Sequence, residues 1–423
     1  MANVVRRNES VTKSKGESEA VPFFDLARQS RPLREKIVRS LARVCDSGQF
    51  VLGPECVRLE ETLAEYCQVK HAVVCASGSD ALLLALMGCG IEPGDEVLLP
   101  SYTFFATAGA VWRLGARPVF VDIDPRTYCI DPGAIASRIT SRTRALLPVH
   151  LYGQCADMQP LTDIARQHKL KIIEDAAQAI GSELNGCRAG ALGDVGCFSF
   201  YPTKNLGSFG DGGFMTTNDE ELSQRLKMLR VHGETKQYHH QIIGFNSRLD
   251  AFQAAVLNAK LPHLEHWITR RQANARFYDR LFHEGGLHEH IDLPQVADGR
   301  RHVWNQYVIR VPDGQRDALR EHLAQRNIGT QIYYPVPMHE QPCFKSLGYE
   351  LGRLPRTEAA ARETLALPIF PELTAHEQQL VVTRIAAFFK NNSRPTGGHA
   401  IGPPKFLSAK TGSSNSEVRD PRR

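Results

Sequence analysis

Two residues that could act together in a reaction, Asp175 and Lys204, each follow a short apolar run typical of a buried strand. Leu170–Ile173 leads into Glu174 and Asp175, and Val195–Phe200 leads into a glycine-bounded loop that carries Lys204. Ligands of open α/β sheets bind outside the carboxyl ends of the strands. An acid and an amine at two such ends therefore make a candidate site.

An aspartate and a lysine placed in this way suit pyridoxal phosphate. This cofactor needs a lysine amine to bind its aldehyde covalently, and a carboxylate to keep its pyridine nitrogen protonated so that the ring can accept electrons. Either residue alone has a simpler interpretation, because a loop lysine is usually solvated and an aspartate after a strand is often a helix N-cap. The surrounding residues decide between these interpretations.

Those surroundings resemble the sugar aminotransferase family of the DegT/DnrJ/StrS type, whose members are fold-type I pyridoxal-phosphate enzymes. The family carries E-D-x-A-Q-A, G-D, F-S-F-x-P-x-K-N-L-G and G-x-G-G in this order. The corresponding residues here are Glu174–Ala179, Gly193–Asp194, Phe198–Gly207 and Gly210–Gly213. The resemblance covers residues 21–390 and leaves out only the two ends of the chain.

Strand-like and helix-like segments alternate with short links through the first half of the chain, which favours a mostly parallel sheet flanked by helices. One of the predicted helices is Asp131–Ile139. The resemblance implies the α/β fold of the fold-type I pyridoxal-phosphate-dependent transferases, with a mostly parallel sheet of the seven-stranded type and a smaller C-terminal α+β domain.

The domains are predicted from composition and from the resemblance. Residues 21–265 would hold the N-terminal helices and the large cofactor-binding domain, and residues 266–390 the small domain. Residues 1–20 are polar without periodicity, and residues 391–423 are basic and rich in Pro, Gly and Ser. Both ends are therefore predicted to be disordered tails.

The resemblance assigns the chemistry to motif positions. Lys204 is expected to bind the cofactor covalently, and then to move a proton between substrate and cofactor. Asp175 is expected to stay ionised beside the ring nitrogen. Phe104, in a segment similar to P-S-x-T-[FW], is expected to stack on the ring, and Gln178 to contact its hydroxyl side.

The cofactor phosphate is expected at Gly78, Ser79 and Ser199. Ser77–Leu82 matches the family's S-G-T-D-A-L, with Ser79 keeping the hydroxyl of the usual threonine. A strand, a glycine turn and a helix start direct free N–H groups at an anion, although the same turn can serve only as an N-cap.

The segment Gly244–Asp250 matches the family motif G-x-N-x-R-x-[DN], which implies a second subunit. In the family this asparagine, here Asn246, reaches the cofactor phosphate of the neighbouring subunit, so the resemblance implies a homodimer with shared active sites. Arg248 is predicted to bind substrate. Tyr334 and His339, in a segment similar to Y-x-P-x-H-x-Q, are predicted to line the sugar pocket.

The implied reaction moves an amino group, by family habit from glutamate, to a keto group of a nucleotide-linked sugar. The residues of the loop around positions 230–250 resemble the branch of the family that aminates C3 of the keto sugar more than the branch that aminates C4. A regulatory protein of this fold without transaminase activity and a pyridoxal-phosphate-dependent sugar dehydratase stay open as alternatives, although the dehydratase branch has histidine where this chain has Lys204. No G-x-G-x-x-G follows an early strand, which argues against a nicotinamide-dependent enzyme.

Composition narrows the class of protein further. The net charge of +5 resides in the two ends, which leaves the rest of the chain neutral and argues against nucleic-acid binding. The 10 cysteines form no C-x-x-C pair, and the adjacent His239 and His240 have no acidic or sulfur ligands nearby, so we expect no metal site.

No apolar run could cross a bilayer and no signal peptide begins the chain, so a cytoplasmic protein without membrane contact is expected.

Overall fold

The computed structural model describes residues 20–392. The predicted tails lie outside this range, except for residue 20 of the first tail and residues 391 and 392 of the second. Residues 391 and 392 form the end of the last helix. The strands, in chain order, are β1 His71–Cys75, β2 Glu96–Pro100, β3 Arg117–Val121, β4 Thr143–Leu146, β5 Lys171–Asp175, β6 Glu183–Leu184, β7 Cys187–Arg188, β8 Val195–Ser199, β9 Gly213–Thr217, β10 Glu234–Lys236, β11 His239–His240, β12 Arg300–Arg301, β13 Tyr307–Arg310 and β14 Thr364–Leu367.

The helices of the described range surround these strands. They are α1 Leu26–Ser30, α2 Arg34–Ser47, α3 Pro54–Cys67, α4 Gly78–Gly88, α5 Phe105–Arg113, α6 Met158–His168, α7 Glu220–Leu229, α8 Ala251–Lys260, α9 Leu264–Glu284, α10 Arg316–Ala324, α11 Pro355–Glu363 and α12 Ala375–Asn392. None of them combines the length and the apolar character that a membrane-crossing helix requires.

Seven strands form the central sheet in the order β1-β9-β8-β5-β4-β2-β3. Strand β9 is antiparallel to both of its neighbours, and the other neighbouring pairs are parallel. The predicted mostly parallel α/β sheet of seven strands is therefore confirmed.

Both faces of this sheet are covered, which explains its continuous apolar strands. Successive residues point to opposite faces. Leu99 and Ile173 join the core under α4 and α5, whereas their neighbours Leu98 and Ile172 join the core under α6. Parallel strands with helices on both faces leave the carboxyl edge of the sheet open for a site.

The segment predicted as one helix, Asp131–Ile139, forms two short 3₁₀ turns instead, Pro132–Ala134 and Ala136–Arg138. The Asp131 carboxylate caps the first turn by accepting from the Gly133 N–H at 2.9 Å. Ile135 is the residue of this segment that is fully buried. Because one apolar anchor gives no helical stripe, packing does not extend the turn into a helix.

A separate core forms in the C-terminal part, where β13 and β14 pair antiparallel and α9, α10 and α12 pack beside them. Helix α9 contributes to both cores: Leu264 and Ile268 pack with the large-domain residues, and Tyr278 and Phe282 pack with the C-terminal ones. The predicted boundary at residue 265 falls inside α9 and stays a prediction.

Candidate active site

A cavity of about 480 Å³ opens where β5 and β8 end. Its wall is formed by the starts of α4 and α5, by the loop after β8, by Gln306 just before β13, and by Tyr333 and Tyr334 after α10. The structure brings together most of the predicted site residues in this one cavity, namely Gly78, Ser79, Phe104, Asp175, Gln178, Ser199, Lys204 and Tyr334.

Asp175 ends β5 and is 5% exposed. The Thr107 hydroxyl donates to its Oδ2 at 2.7 Å, and the Ala177 N–H donates to its Oδ1 at 3.2 Å. Burial raises the pKa of Asp175, while these two hydrogen bonds and the charge of Lys204 oppose the rise. Because burial favours the neutral carboxyl, a cation next to Asp175 would stabilise its ionised form.

The ammonium group of Lys204 loses its proton more easily than that of an ordinary lysine. Burial lowers its pKa to about 8, and the negative charge of Asp175 acts in the opposite direction. At pH 7 about 10% of such an amine is neutral, against about 0.03% for a lysine with a pKa of 10.5. The cavity therefore makes Lys204 a nucleophile near neutral pH.

We expect the covalent attachment of pyridoxal phosphate to cofactor-free protein to follow this pKa. Only the neutral amine attacks an aldehyde, so the rate should rise about tenfold per pH unit up to pH 7.5 and level off above about pH 8.5. Stopped-flow absorbance at fixed cofactor concentration measures it. The matched control is Nα-acetyl-lysine, whose rate should keep rising to pH 10. A protein rate that also keeps rising to pH 10 contradicts the lowered pKa.

The loop that carries Lys204 is fixed on both sides. The Asn205 amide donates to the Val303 carbonyl at 3.0 Å and accepts from Asn305 at 3.0 Å. The buried ammonium of Lys260 donates to the Gly207 carbonyl. A Cβ at Gly207 would lie 2.3 Å from the Pro202 carbonyl oxygen, so only glycine closes this loop. These contacts hold the Lys204 backbone at the cavity.

The opposite end of the cavity can hold an anion. Ser77 caps α4, since its hydroxyl accepts from the Asp80 N–H at 3.1 Å and its carbonyl from the Ala81 N–H at 2.9 Å. The first N–H groups of a helix have no carbonyl within the helix. At the N-terminus of α4 the Ser77 cap takes up the Asp80 N–H, and the residues before it in the helix, Gly78 and Ser79, line the cavity.

Ser199 completes this end. A Cβ at Gly78 would lie 2.6 Å from the Ser199 Cβ, so glycine is what lets the start of α4 approach the end of β8. The Ser199 hydroxyl accepts from the Tyr201 N–H at 3.2 Å, which leaves its own hydrogen available to a ligand oxygen. Two backbone donors, one hydroxyl and a helix dipole suit a phosphate group.

Between these ends lie the residues predicted for the ring. Phe104, at the N-terminus of α5, is 60% exposed and lines the cavity, so its ring is open to stacking. The Gln178 amide is already oriented, because it accepts from the Tyr152 N–H at 2.7 Å and donates to the Tyr334 hydroxyl at 2.8 Å. Tyr334 thereby lies beside the predicted ring position.

Glu174, the acidic neighbour of Asp175, serves the fold. Its buried carboxylate lies 2.8 Å from His150 Nε2 and accepts the N–H groups of Gly190, Leu192 and Gly193 at 2.7–2.9 Å. The Ala156 N–H donates to His150 Nδ1, so Nε2 carries the proton that faces Glu174. This network fixes the end of β5 and with it Asp175.

Three predicted residues lie outside the cavity lining within one chain. Asn246 is exposed and Arg248 is half-buried, both between β11 and α8. His339 is 4% exposed, with its Nδ1 2.7 Å from the Ser101 hydroxyl and its Nε2 3.4 Å from Glu358. Possible ligand atoms of His339, Glu340 and Glu358 lie within 4.8 Å of one another. His339 thereby connects the loop after β2 with α11, and its place in the sugar pocket stays a prediction.

Several residues that line the cavity or hold its side chains were missed by sequence reasoning. Thr107 holds Asp175, and Gln306 and Tyr333 line the wall near Tyr334. Thr107 lies one helical turn after Thr103, and the two hydroxyls are 3.0 Å apart, so the spacing was an available signal. Gln306 and Tyr333 carry no local signal, because they come from the small C-terminal part of the chain.

The residues present fit pyridoxal phosphate. The cavity is lined by a nucleophilic amine, a buried carboxylate that a cation would stabilise, an exposed aromatic face and an anion cradle. A ring with a protonated nitrogen, an aldehyde and a phosphate matches these four features together.

Comparison with known proteins agrees with this chemistry. The model of the DegT/DnrJ/EryC1/StrS aminotransferase family matches residues 32–386. A pleiotropic regulatory protein of Geobacillus stearothermophilus is 48% identical over 371 residues, 88% of this chain and 99% of the relative. The dTDP-3-amino-3,4,6-trideoxy-alpha-D-glucose transaminase of Streptomyces venezuelae is 47% identical over 372 residues, 88% of this chain and 97% of the relative.

A solved structure extends the comparison to the fold. NtdA of Bacillus subtilis with bound cofactor PMP matches with a TM-score of 0.81 at 33% identity, covering 89% of this chain and 87% of that chain. The predicted fold-type I architecture is thereby confirmed. From the family match and these relatives, this chain belongs to the DegT/DnrJ/EryC1/StrS aminotransferase family, and pyridoxal phosphate is its cofactor.

Proposed function

We propose that this enzyme transfers the amino group of an amino acid, glutamate by preference, to the C3 keto group of a nucleotide-linked sugar. The observation that carries the proposal is the nucleophilic Lys204 amine, which shares a cavity with the buried Asp175 carboxylate and an anion cradle. The transaminase relative that makes a 3-amino dTDP-sugar supports the sugar and the C3 position.

In this proposal the chain's own residues divide the work. Bound pyridoxal phosphate supplies an aldehyde for imine chemistry and an electron-accepting ring. The Lys204 amine would hold the cofactor in the cavity, and, when free, it would carry a proton to and from the substrate carbon. A pKa of about 8 lets it act in both directions near neutral pH.

Asp175, Gln178, Phe104 and the phosphate cradle serve as positioning groups. Asp175 would keep its charge next to the protonated ring nitrogen, because a charge-assisted hydrogen bond favours the ionised form. Gln178 is pre-oriented by Tyr152 and Tyr334, so little rotational entropy is lost when it meets a ligand oxygen. The N–H groups of Gly78 and Ser79 would hold the phosphate.

A regulatory function is the second candidate, because one relative of 48% identity is named a pleiotropic regulatory protein. A protein that only binds a ligand needs no lowered lysine pKa at the end of a strand, and this chain has one. A dehydratase is disfavoured by the lysine at position 204. Catalysis therefore remains the function that the cavity supports best.

The regiochemistry is tested with two substrates. We expect the enzyme, given glutamate, to aminate a dTDP-linked 3-keto-6-deoxyhexose at least about tenfold faster, in kcat/KM, than its 4-keto isomer, since a misplaced reacting carbon loses the alignment that the cavity provides. Mass spectrometry of the amino sugar measures both rates. A clear preference for the 4-keto isomer overturns the C3 proposal, and no turnover of either sugar overturns the aminotransferase proposal.

We further propose a homodimer in which Asn246 and Arg248 of a second copy complete the site. Among the residues that line the cavity, Lys204 is the one cation, so a phosphate at Gly78 and Ser79 lacks a cationic partner from its own chain. Apolar side chains near the loop are exposed, including Ile243 at 88% and Phe245 at 41%. Exposed apolar side chains in the same segment as Asn246 are consistent with a protein partner covering it.

A further inference from the structure

Asn305 is a buried residue of the C-terminal part of the chain that reaches the loop of Lys204. It is 2% exposed, lies just before β13 and does not line the cavity. Its side-chain nitrogen, Nδ2, donates to the Oδ1 oxygen of Asn205 at 3.0 Å. Because Asn205 directly follows Lys204, Asn305 contacts the loop of the reactive amine without contacting the space that a ligand would occupy.

Both ends of the Asn205 amide bind the same segment, Val303–Gln306. Its nitrogen donates to the Val303 carbonyl at 3.0 Å, and its oxygen accepts from Asn305. The Asn205 side chain is buried, so these two hydrogen bonds are shielded from water. An amide bound at both ends cannot rotate without losing a hydrogen bond, so the segment fixes the backbone where it leaves Lys204.

The segment Val303–Gln306 is itself anchored. The Nη1 nitrogen of the buried Arg271 donates to the Trp304 carbonyl at 3.0 Å, and the Val303 N–H donates to the Gly153 carbonyl at 2.9 Å. Trp304 has a φ of 50°, a left-handed conformation that a residue other than glycine keeps only where its surroundings fix it. The segment can therefore act as a fixed support for the lysine loop.

The Asn305 amide is satisfied at only one end. Its nitrogen binds Asn205, whereas its buried oxygen, Oδ1, has no hydrogen-bond partner among residues 20–392. A buried acceptor without a donor costs stability, and such groups are uncommon in folded proteins. A side chain kept for stability alone would not carry this cost, so what Asn305 provides is a donor placed beside Asn205.

The reactivity of Lys204 depends on where its loop lies. Burial lowers the pKa of Lys204 from 10.5 to about 8. A loop free to move outward would let water reach the ammonium group, and its pKa would rise toward the ordinary value. Attack on an aldehyde and uptake of a proton both need the neutral amine, so a looser loop would slow both.

We propose that Asn305 is a positioning residue for the reaction, which acts through Asn205 to hold Lys204 in its buried place. The inference rests on the role proposed for Lys204. It predicts that Asn305 affects both halves of the transamination alike, because Lys204 serves in each half, and that it leaves substrate affinity unchanged.

The attachment of pyridoxal phosphate to the cofactor-free full chain tests the inference without any substrate. In Asn305→Ala, the pH at which the attachment rate levels off should rise by about one unit, so the rate at pH 7 should fall about tenfold. In the holoenzyme, the maximal rates of the glutamate and keto-sugar half-reactions should fall by similar factors, and the concentrations for half-maximal rate should change less than about twofold. A pH profile identical to that of the wild type overturns the inference.

Asn274→Ala is the matched control. Asn274 is 6% exposed, lies in α9 about one turn after Arg271, and donates through Nδ2 to the Phe370 carbonyl at 2.8 Å. Both substitutions remove one buried amide donor, so both should lower the melting temperature. The pH profile should shift in Asn305→Ala alone. An equal shift in Asn274→Ala would show that any loss of stability moves the profile, and the positioning role would be wrong.

Asn205→Ala tests the same contact from its other side, and it applies also where Asn305→Ala fails to fold. It removes the acceptor, so it should shift the pH profile at least as far as Asn305→Ala does. Because Asn305 acts through Asn205, the double variant should shift the profile no further than Asn205→Ala alone, and additive shifts contradict the inference. If the wild-type rate itself keeps rising to pH 10, the lowered pKa of Lys204 is wrong and the inference falls with it. Failure of the wild type to aminate a sugar contradicts only the proposed function, because attachment needs no sugar.

Discussion

Lys204→Ala is expected to lower transamination by at least about a thousandfold, because the variant loses both the nucleophile that holds the cofactor and the amine that moves the proton. Continuous assay of amino-sugar formation measures this loss. The variant should still bind the cofactor non-covalently, since the phosphate cradle and Asp175 are unchanged, and this binding is measured by absorbance after gel filtration.

The chain offers an internal control for the identity of the lysine. Burial lowers the pKa of Lys260 to about 8 as well, yet Lys260 is directed at the Gly207 carbonyl and does not line the cavity. Borohydride treatment of the wild type should therefore fix the cofactor to Lys204 alone, as mapped by peptide mass spectrometry. Cofactor fixed to Lys260, or near-full activity in Lys204→Ala, would falsify the assignment.

Mixed dimers are expected to recover activity that neither parent has. Lys204→Ala lacks the amine, and the double variant Asn246→Ala with Arg248→Ala lacks the residues that we propose a second copy contributes. In a heterodimer one site carries both lesions and the other carries none, because a twofold interface is symmetric. About a quarter to a half of wild-type activity should return, depending on how freely the subunits exchange.

The control for the mixing experiment pairs two single variants whose lesions lie in the same cavity of one chain, Lys204→Ala and Asp175→Asn. In their heterodimer each site carries one lesion, so this mixture should stay inactive. Native mass spectrometry of differently tagged subunits shows whether heterodimers form in both mixtures. If heterodimers form but the Asn246 and Arg248 mixture stays inactive, each site carries one lesion and the shared site is wrong. If the Asn246 and Arg248 variant is fully active before mixing, these two residues are dispensable.

Local patterns were enough to predict the sheet and the centre of the site. The apolar runs Leu170–Ile173 and Val195–Phe200 fall on β5 and β8. Asp175 ends β5 and Lys204 lies in the loop after β8. Because β5 and β8 are parallel neighbours, both residues come to one edge of the sheet. The predicted helix Asp131–Ile139 was wrong, because the segment has one buried apolar residue and therefore no amphipathic stripe.

Contacts between distant segments decided the rest. Thr107 holds Asp175 from 68 positions away, and Gln306 enters the wall from the C-terminal part of the chain. His339 follows the predicted motif in sequence, yet it turns toward Ser101 and Glu358. The pKa of Lys204 depends on burial, which is the sum of all surrounding segments. The sequence by itself determined which residues reach the edge of the sheet, because strand geometry is local. Only the tertiary structure decided the protonation and orientation of these residues, because desolvation and hydrogen bonding depend on neighbours far along the chain.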